Sequence, residues 1–134
     1  MQQPTFSALL CIALCPALTR SGNAQHMNAS GAPCHSVGSG AETAQCFYEA
    51  AKKANSDLNR FYGILQRKLS PGNQEKLQAT QRVWVRFRDA NCEAERQLYT
   101  GGSAAPMVFQ SCIEADTRER TKELHTMYDW LIDK

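Results

Sequence analysis

The chain has 134 residues, enough for one domain, and a formal net charge of only +2 at neutral pH. No run of lysine and arginine is interleaved with aromatic residues, so a nucleic-acid partner is not expected. The hydrophobic content of 43% is typical of a globular chain that buries a core.

An almost unbroken apolar run occupies residues 6–18. It is shorter than the about 20 residues that a membrane-spanning helix needs, and it suits the hydrophobic part of a secretory signal peptide. Gly22 and Ala24 supply the small residues of a cleavage site, although residues 1–5 carry no lysine or arginine. The two cysteines of the run follow leucines rather than small residues, which disfavours a lipid anchor. We therefore predict a signal peptide over residues 1–24, in preference to a buried N-terminal helix. The mature protein is expected to be periplasmic or secreted and to have no membrane span.

Residues 25–40 are rich in glycine, serine, alanine and asparagine, and they predict a flexible N-terminal tail that is held at Cys34 if this residue is bridged. The helical domain is then expected over residues 41–134. Its first helix starts at a capping box over residues 39–42 and continues to about Leu69. Apolar residues recur along this helix every three or four positions, as in an amphipathic helix.

Two further helices are predicted, one over residues 71–99 and one that starts at 103–106 and ends near residue 131. Ser70 is expected to cap the second helix, with Pro71 at its first position, and residues 100–103 break it. The apolar stripe of the second helix comprises Leu77, Trp84, Phe87, Ala94 and Leu98. The stripe of the third comprises Val108, Cys112, Ala115, Leu124, Met127, Tyr128 and Leu131.

Short connections between long helices make consecutive helices antiparallel neighbours. The predicted fold is therefore all-α, an up-down-up three-helix bundle stapled by disulfides. The charged stretch of the third helix, residues 116–123, shows no apolar periodicity that would define its buried face.

Four cysteines follow the predicted cleavage site, namely Cys34, Cys46, Cys92 and Cys112. An even number in an exported chain predicts two disulfides. Zinc is disfavoured because the chain has no CxxC or HxxxH pair. Counted from the helix turns, all four cysteines gather at one end of the bundle, so the sequence allows three pairings. Cys92 and Cys112 lie at similar distances from the 101–102 turn, which favours Cys92–Cys112, with Cys34–Cys46 joining the tail to the first helix.

The second helix contains the block QRVWVRFRDANC at residues 81–92, followed by YTGGS at 99–103 and by Cys112. Upstream lies DLNRFY at 57–62, and the last helix carries a stretch rich in threonine and arginine at 117–120. This combination resembles the LprI-type lysozyme-inhibitor family of bacterial periplasmic proteins and lipoproteins. The resemblance covers nearly the whole predicted mature chain.

The resemblance implies that the protein binds and inhibits lysozyme and is not itself an enzyme. The alternative is a structural or interaction module of the bacterial envelope with another protein partner. Catalysis has little support, because His125 is alone on a charged helix and Glu93 and Glu95 point apart on theirs. We expect no cofactor and no metal.

Several residues of these motifs have ordinary structural roles as their first interpretation. Trp84 and Phe87 are expected to be core residues, and Arg88 and Asp89 to form a structural hydrogen-bond pair. The glycines at 101–102 are expected to stop one helix before the cap of the next.

A binding surface is predicted at the turn between the second and third helices. Its two glycines leave little side-chain bulk, so the backbone can approach a partner closely, and its tyrosine supplies an aromatic anchor. Acidic side chains flank the turn in the predicted register and would steer a cationic partner. The predicted binding residues are Glu93, Glu95, Tyr99, Gly101, Gly102, Ser103 and Glu114.

Overall fold

The computed structural model describes residues 26–35 and 38–133, and the regular structure within these ranges is entirely helical. The elements are a short 3-10 helix (His26–Asn28), α1 (Gly40–Lys68), α2 (Pro71–Gln97) and α3 (Ala105–Ile132). The predicted all-α bundle with two disulfides is confirmed. The predicted signal peptide at residues 1–24 lies outside the described residues. None of the described helices has the length and hydropathy needed to cross a membrane.

Local sequence signals set the helix ends. At the start of α1, the Ser39 N–H donates to the Glu42 carboxylate at 2.7 Å, and the Glu42 N–H donates to the Ser39 hydroxyl. These backbone and side-chain hydrogen bonds with Ser39 hold the pKa of Glu42 below its usual value. Pro71 begins α2 as predicted, whereas Ser70 occupies the cap position without a side-chain hydrogen bond to the helix.

The central helix of the bundle is α3, which packs against both other helices and against the N-terminal segment. It runs parallel to α1 and antiparallel to α2, which is the predicted up-down-up order. Two contacts define these directions, the stacking of Phe61 on His125 and the Cys92–Cys112 bridge. Shared buried clusters agree with them, since one contains Ala51 and Ile113 and another contains Leu77 and Leu124.

Buried apolar side chains form three clusters along the bundle. The cluster nearest the α1–α2 turn comprises Leu58, Phe61, Leu65, Leu77 and Leu124. The middle cluster comprises Ala51, Cys92, Cys112 and Ile113. The third comprises Ala32, Cys34 and Phe47. This last cluster places the N-terminal segment against the start of α1.

The segment predicted as a flexible tail over residues 25–40 is attached to the bundle in its described part. Cys34 is buried and bridged to Cys46, as the sequence favoured. His26 contacts Glu95 of α2, and the 3-10 helix packs on α3. The sequence predicted the attachment at Cys34 but neither the 3-10 helix nor these further contacts.

The predicted core stripe of α2 is wrong over its C-terminal half. Leu77 is buried and Trp84 is half-buried, but Phe87 is 63% exposed and Leu98 is 80% exposed. Ala94 is exposed as well. The prediction failed because α2 carries two apolar stripes, and spacing alone does not say which one faces the core.

Polar residues fill much of the buried face of α2. Gln81, Arg88 and Glu95 recur every seven residues and bind α1, α3 or the N-terminal segment. The charged stretch of α3 also has polar residues on its buried face. Thr117 is fully buried there, and the Arg120 side chain is only 10% exposed. A polar side chain can be buried when its polar atoms have hydrogen-bond partners. A search for apolar periodicity does not detect such residues.

Candidate functional site

The turn between α2 and α3 is an exposed segment with little side-chain bulk. The Gly102 N–H donates to the Tyr99 carbonyl at 3.1 Å, and the Tyr99 N–H donates to the Arg96 carbonyl at 3.0 Å. Gly101 has a φ of +86°, a left-handed conformation that glycine adopts without strain. Gly101, Gly102 and Ser103 are exposed, and Tyr99 is half-buried. The structure therefore brings these four predicted binding residues together.

A disulfide holds the two helices that carry this turn. Cys92 and Cys112 are fully buried, and their Cα atoms lie 5.4 Å apart. The bridge joins α2 to α3 a few helical turns away from the loop, so it limits how far the two ends of the loop can separate. A segment that is ordered before binding loses less conformational entropy when a partner binds.

Glu93 has the most exposed side chain of the three predicted acidic residues, at 45%. Its carboxylate accepts hydrogen bonds from Arg96 at 2.6 Å and from Gln97. These hydrogen bonds, that from Arg96 first, lower the pKa of Glu93 to about 2. Glu93 is therefore ionised at neutral pH, with one cation beside it.

The other two predicted acidic residues face different parts of the molecule. Glu95 has a side chain that is 12% exposed, and its carboxylate contacts His26 at 2.6 Å. Glu114 is buried and accepts a hydrogen bond from Arg118 at 2.9 Å, a contact that raises the pKa of Arg118. The structure thus does not unite Glu93, Glu95 and Glu114 in one acidic surface.

A cluster around His26 attaches the N-terminal segment to both α2 and α3. The His26 Nδ1 lies 2.6 Å from Glu95, and the His26 Nε2 lies 3.7 Å from Asp116. The Asn91 amide donates to the same Asp116 carboxylate at 3.3 Å. Cys112 lies beside the cluster, but its sulfur is in a disulfide and is not the thiolate that binds metals. No local sequence signal marks this cluster, because 69 residues separate His26 from Glu95.

Arg88 joins the three helices at one level of the bundle. Its Nη1 donates to Asn55 of α1 at 2.9 Å and to Thr117 of α3 at 3.1 Å. Its Nη2 donates to Asp89 at 2.8 Å, which confirms the predicted structural pair. The guanidinium also lies over the Trp84 ring, 5.1 Å from its centroid.

A second arginine approaches the same tryptophan. The Arg120 guanidinium lies 5.8 Å from the centre of the Trp84 ring, and it is held by Gln81 at 3.2 Å and by Glu123 at 2.6 Å. Much of the QRVWVRFRDANC block therefore packs the bundle together. Side chains that contact a partner are to be sought outside these buried contacts.

The sequence of the disulfide-bonded bundle matches the model of a known protein family. The family model described as "Lysozyme inhibitor LprI" matches residues 34–124. The chain belongs to the LprI lysozyme-inhibitor family. The matched range begins at the bridged Cys34, includes the contacts of Arg88, and ends at Leu124, which is fully buried in the core. The resemblance carried by the sequence motifs is confirmed.

This LprI-family chain is similar over nearly its whole length to an uncharacterized protein of Rhizobium meliloti (strain 1021). The two are 27% identical over 139 aligned residues, which cover 94% of each chain. No solved structure matches the chain.

Proposed function

We propose that this LprI-family protein is exported and inhibits lysozyme by binding it, without catalysing a reaction. The family match over residues 34–124 carries this proposal, because it spans both disulfides and nearly all of the three helices. Inhibition by binding requires a stable surface rather than a reactive group. A disulfide-bonded bundle is suited to present such a surface.

The two disulfides support a periplasmic or secreted location. Disulfides persist in oxidising compartments and are rare in the cytosol. The apolar run at residues 6–18 and the small residues near Ala24 support export by the same route.

The exposed turn at residues 99–103 is the contact element of this proposal. Lysozyme cleaves its glycan between two carboxyl groups in a cleft, and a segment with little side-chain bulk suits entry into a cleft. Tyr99 adds an aromatic side chain of the kind enriched at binding hot spots. Of the three predicted acidic residues, Glu93 is the one exposed to a partner, since Glu95 and Glu114 are occupied inside the molecule.

A turbidity assay of cell-wall lysis tests the proposal. The purified, disulfide-bonded protein should slow the clearing of a cell-wall suspension by lysozyme, and the effect should grow with the molar ratio of protein to lysozyme. Reduced and alkylated protein is the matched control and should have no effect. The protein alone should leave the walls intact.

Two results would contradict the proposal. Clearing of the walls by the protein itself would show that it is an enzyme. Unchanged lysis by every lysozyme type tested, at a molar excess of the protein, would favour the alternative of an envelope module with a different protein partner.

A further inference from the structure

α2 carries a second apolar stripe on a lateral face, where Val83 and Phe87 border a groove beside Arg120 of α3. Its members are exposed and follow one another at spacings of four, four, three, four and four residues. They are Ala79, Val83, Phe87, Ala90, Ala94 and Leu98. The stripe spans about 28 Å of helix, and three of its larger side chains are more than half exposed. A monomeric soluble protein rarely exposes a continuous apolar stripe without using it.

The spacing and the side-chain sizes of this outer stripe are those of a helix–helix interface. Alternating steps of three and four residues place side chains along the seam between two paired helices. The larger Val83 and Phe87 precede the small Ala90 and Ala94 along the stripe. If two copies of α2 lie antiparallel with their centres near Phe87, Val83 of one copy faces Ala90 and Ala94 of the other.

The charges beside the stripe have a self-complementary order. Along one edge, α2 carries two arginines and then two acidic residues, and these are Arg82, Arg86, Asp89 and Glu93. Arg82 and Arg86 form no ion pair with any residue that the structure describes. In an antiparallel two-fold arrangement this edge meets the same edge of the other copy, so the arginines of each copy meet the acidic residues of the other, whereas in a parallel arrangement the two edges lie on opposite sides and these charges do not meet.

We propose that the outer face of α2 binds α2 of a second copy of this chain, giving a two-fold antiparallel dimer. When the two-fold axis passes between Phe87 and Arg88, Arg82 lies opposite Glu93 of the second copy and Arg86 lies opposite Asp89. Each of these contacts occurs twice, as in any two-fold interface. Glu93 also belongs to the proposed lysozyme contact, so the dimer is tested by its mass in solution and not by inhibition.

The chain itself is the occupant that fits both features of this face. Another protein would have to present small and large apolar side chains in the complementary order, together with the complementary order of charges. A second copy of α2 already has both. A single pair of helices with several alanines buries a modest area, so we expect a dimer that dissociates on dilution.

Sedimentation equilibrium of the purified, disulfide-bonded protein over a range of concentrations tests this dimer. We expect the monomer mass in dilute solution and twice that mass in concentrated solution. Phe87→Ser should raise the dissociation constant by about tenfold or more, because it removes the largest side chain at the centre of the interface. Circular dichroism and thermal unfolding check that the variant keeps its fold.

A charge exchange tests the register. Arg82→Glu and Glu93→Arg should each weaken the dimer, because each places like charges opposite one another. In the double variant, position 82 is acidic and position 93 is basic, so opposite charges again face one another across the interface. Its dissociation constant should return toward that of the parent. Arg67→Glu, at an exposed position on α1, is the matched control and should leave the dimer unchanged.

Three results would overturn the proposal. These are a monomer at all concentrations, a dimer that is insensitive to Phe87→Ser, and a double variant as weak as the single ones. A protein that stays monomeric but loses lysozyme inhibition on Phe87→Ser would assign the outer face to lysozyme instead.

Discussion

Arg88 is 11% exposed, so its positive charge is largely removed from water. Burial of a charge costs free energy unless the charge is paired and its N–H groups have acceptors. Asp89 supplies the opposite charge, while Asn55 and Thr117 accept from the same nitrogen. The planar guanidinium reaches these acceptors in several directions at once, which an ammonium group on a lysine cannot do in the same geometry.

Replacement of Arg88 should therefore destabilise the bundle. Arg88→Met should lower the free energy of unfolding by about 2 kcal/mol, because it leaves Asn55 and Thr117 without their donor. Arg88→Lys should recover only a small part of that loss. Urea unfolding followed by circular dichroism measures both changes.

Arg67→Ala is the control for this experiment, because Arg67 is exposed and forms no ion pair with the described residues. It should change the free energy of unfolding by less than about 0.5 kcal/mol. A lysine variant as stable as the parent would show that charge alone, and not the shape of the guanidinium, is what position 88 requires.

Some of these residue roles could be predicted from the sequence. The Arg88–Asp89 pair and the capping box at the start of α1 follow from neighbours in the chain, and both are confirmed. Phe87 is predicted in the core and lies outside, because the apolar pattern of α2 fits two different faces. The burial of Glu95 beneath His26 depends on residues far apart in sequence, and no local pattern contains that information.

The helices, as elements, were predicted with more success than their packing. Proline, glycine and capping residues mark helix ends through local backbone geometry, so the ends of α1 and α2 fall close to the predicted ones. The sequence did not show that α3 packs more extensively on α1 than on α2. Buried alanines such as Ala51, Ala54 and Ala115 allow this close approach of two helices that are not consecutive in the chain.

The two disulfides join different elements, so their loss should have different effects. Replacing Cys92 and Cys112 by alanine should lower the free energy of unfolding by about 3 kcal/mol, since the bridge restricts a loop of this size in the unfolded chain. Replacing Cys34 and Cys46 should mainly release the N-terminal segment, with the helices of the bundle still paired. Denaturant unfolding measures the first effect and amide hydrogen exchange the second.

Thiol labelling provides the check on this prediction. The unfolded protein should show no reactive thiol at these four positions until a reductant is added. If the variant without Cys34 and Cys46 lost hydrogen-exchange protection equally in all three helices, the prediction would be wrong. The Cys34–Cys46 bridge would then stabilise the whole bundle and not mainly the N-terminal segment.

At the scale of the whole molecule, the helices that flank the exposed turn are joined by several long-range contacts. α3 lies between the other helices, the Cys92–Cys112 bridge joins it to α2, and the His26 cluster ties the N-terminal segment to the same end. These contacts restrict the helix ends on either side of the 99–103 segment. If the turn is the contact element, as proposed, this restriction should reduce the conformational entropy that the loop loses on binding.

The contact proposed for this turn is steric, and bulk at Gly102 tests it. Gly102→Trp should weaken lysozyme inhibition by about tenfold or more, because the added side chain fills the space through which the backbone approaches the partner. A steric effect does not depend on screening, so the loss should be the same at low and high salt. Turbidity assays at two salt concentrations, over a series of protein-to-lysozyme ratios, measure it.

Gly102→Ala is the matched control at the same position. Its Cβ would lie 3.4 Å from the Tyr99 carbonyl oxygen, a tight contact that a small shift relieves, so the turn should keep its form and the variant should inhibit nearly as well as the parent. Equal loss in both variants would mean that glycine is needed for the fold of the turn rather than for contact. Full inhibition by Gly102→Trp at both salt concentrations would place the lysozyme contact elsewhere on the bundle, and the exposed face of α2 would be the next surface to change.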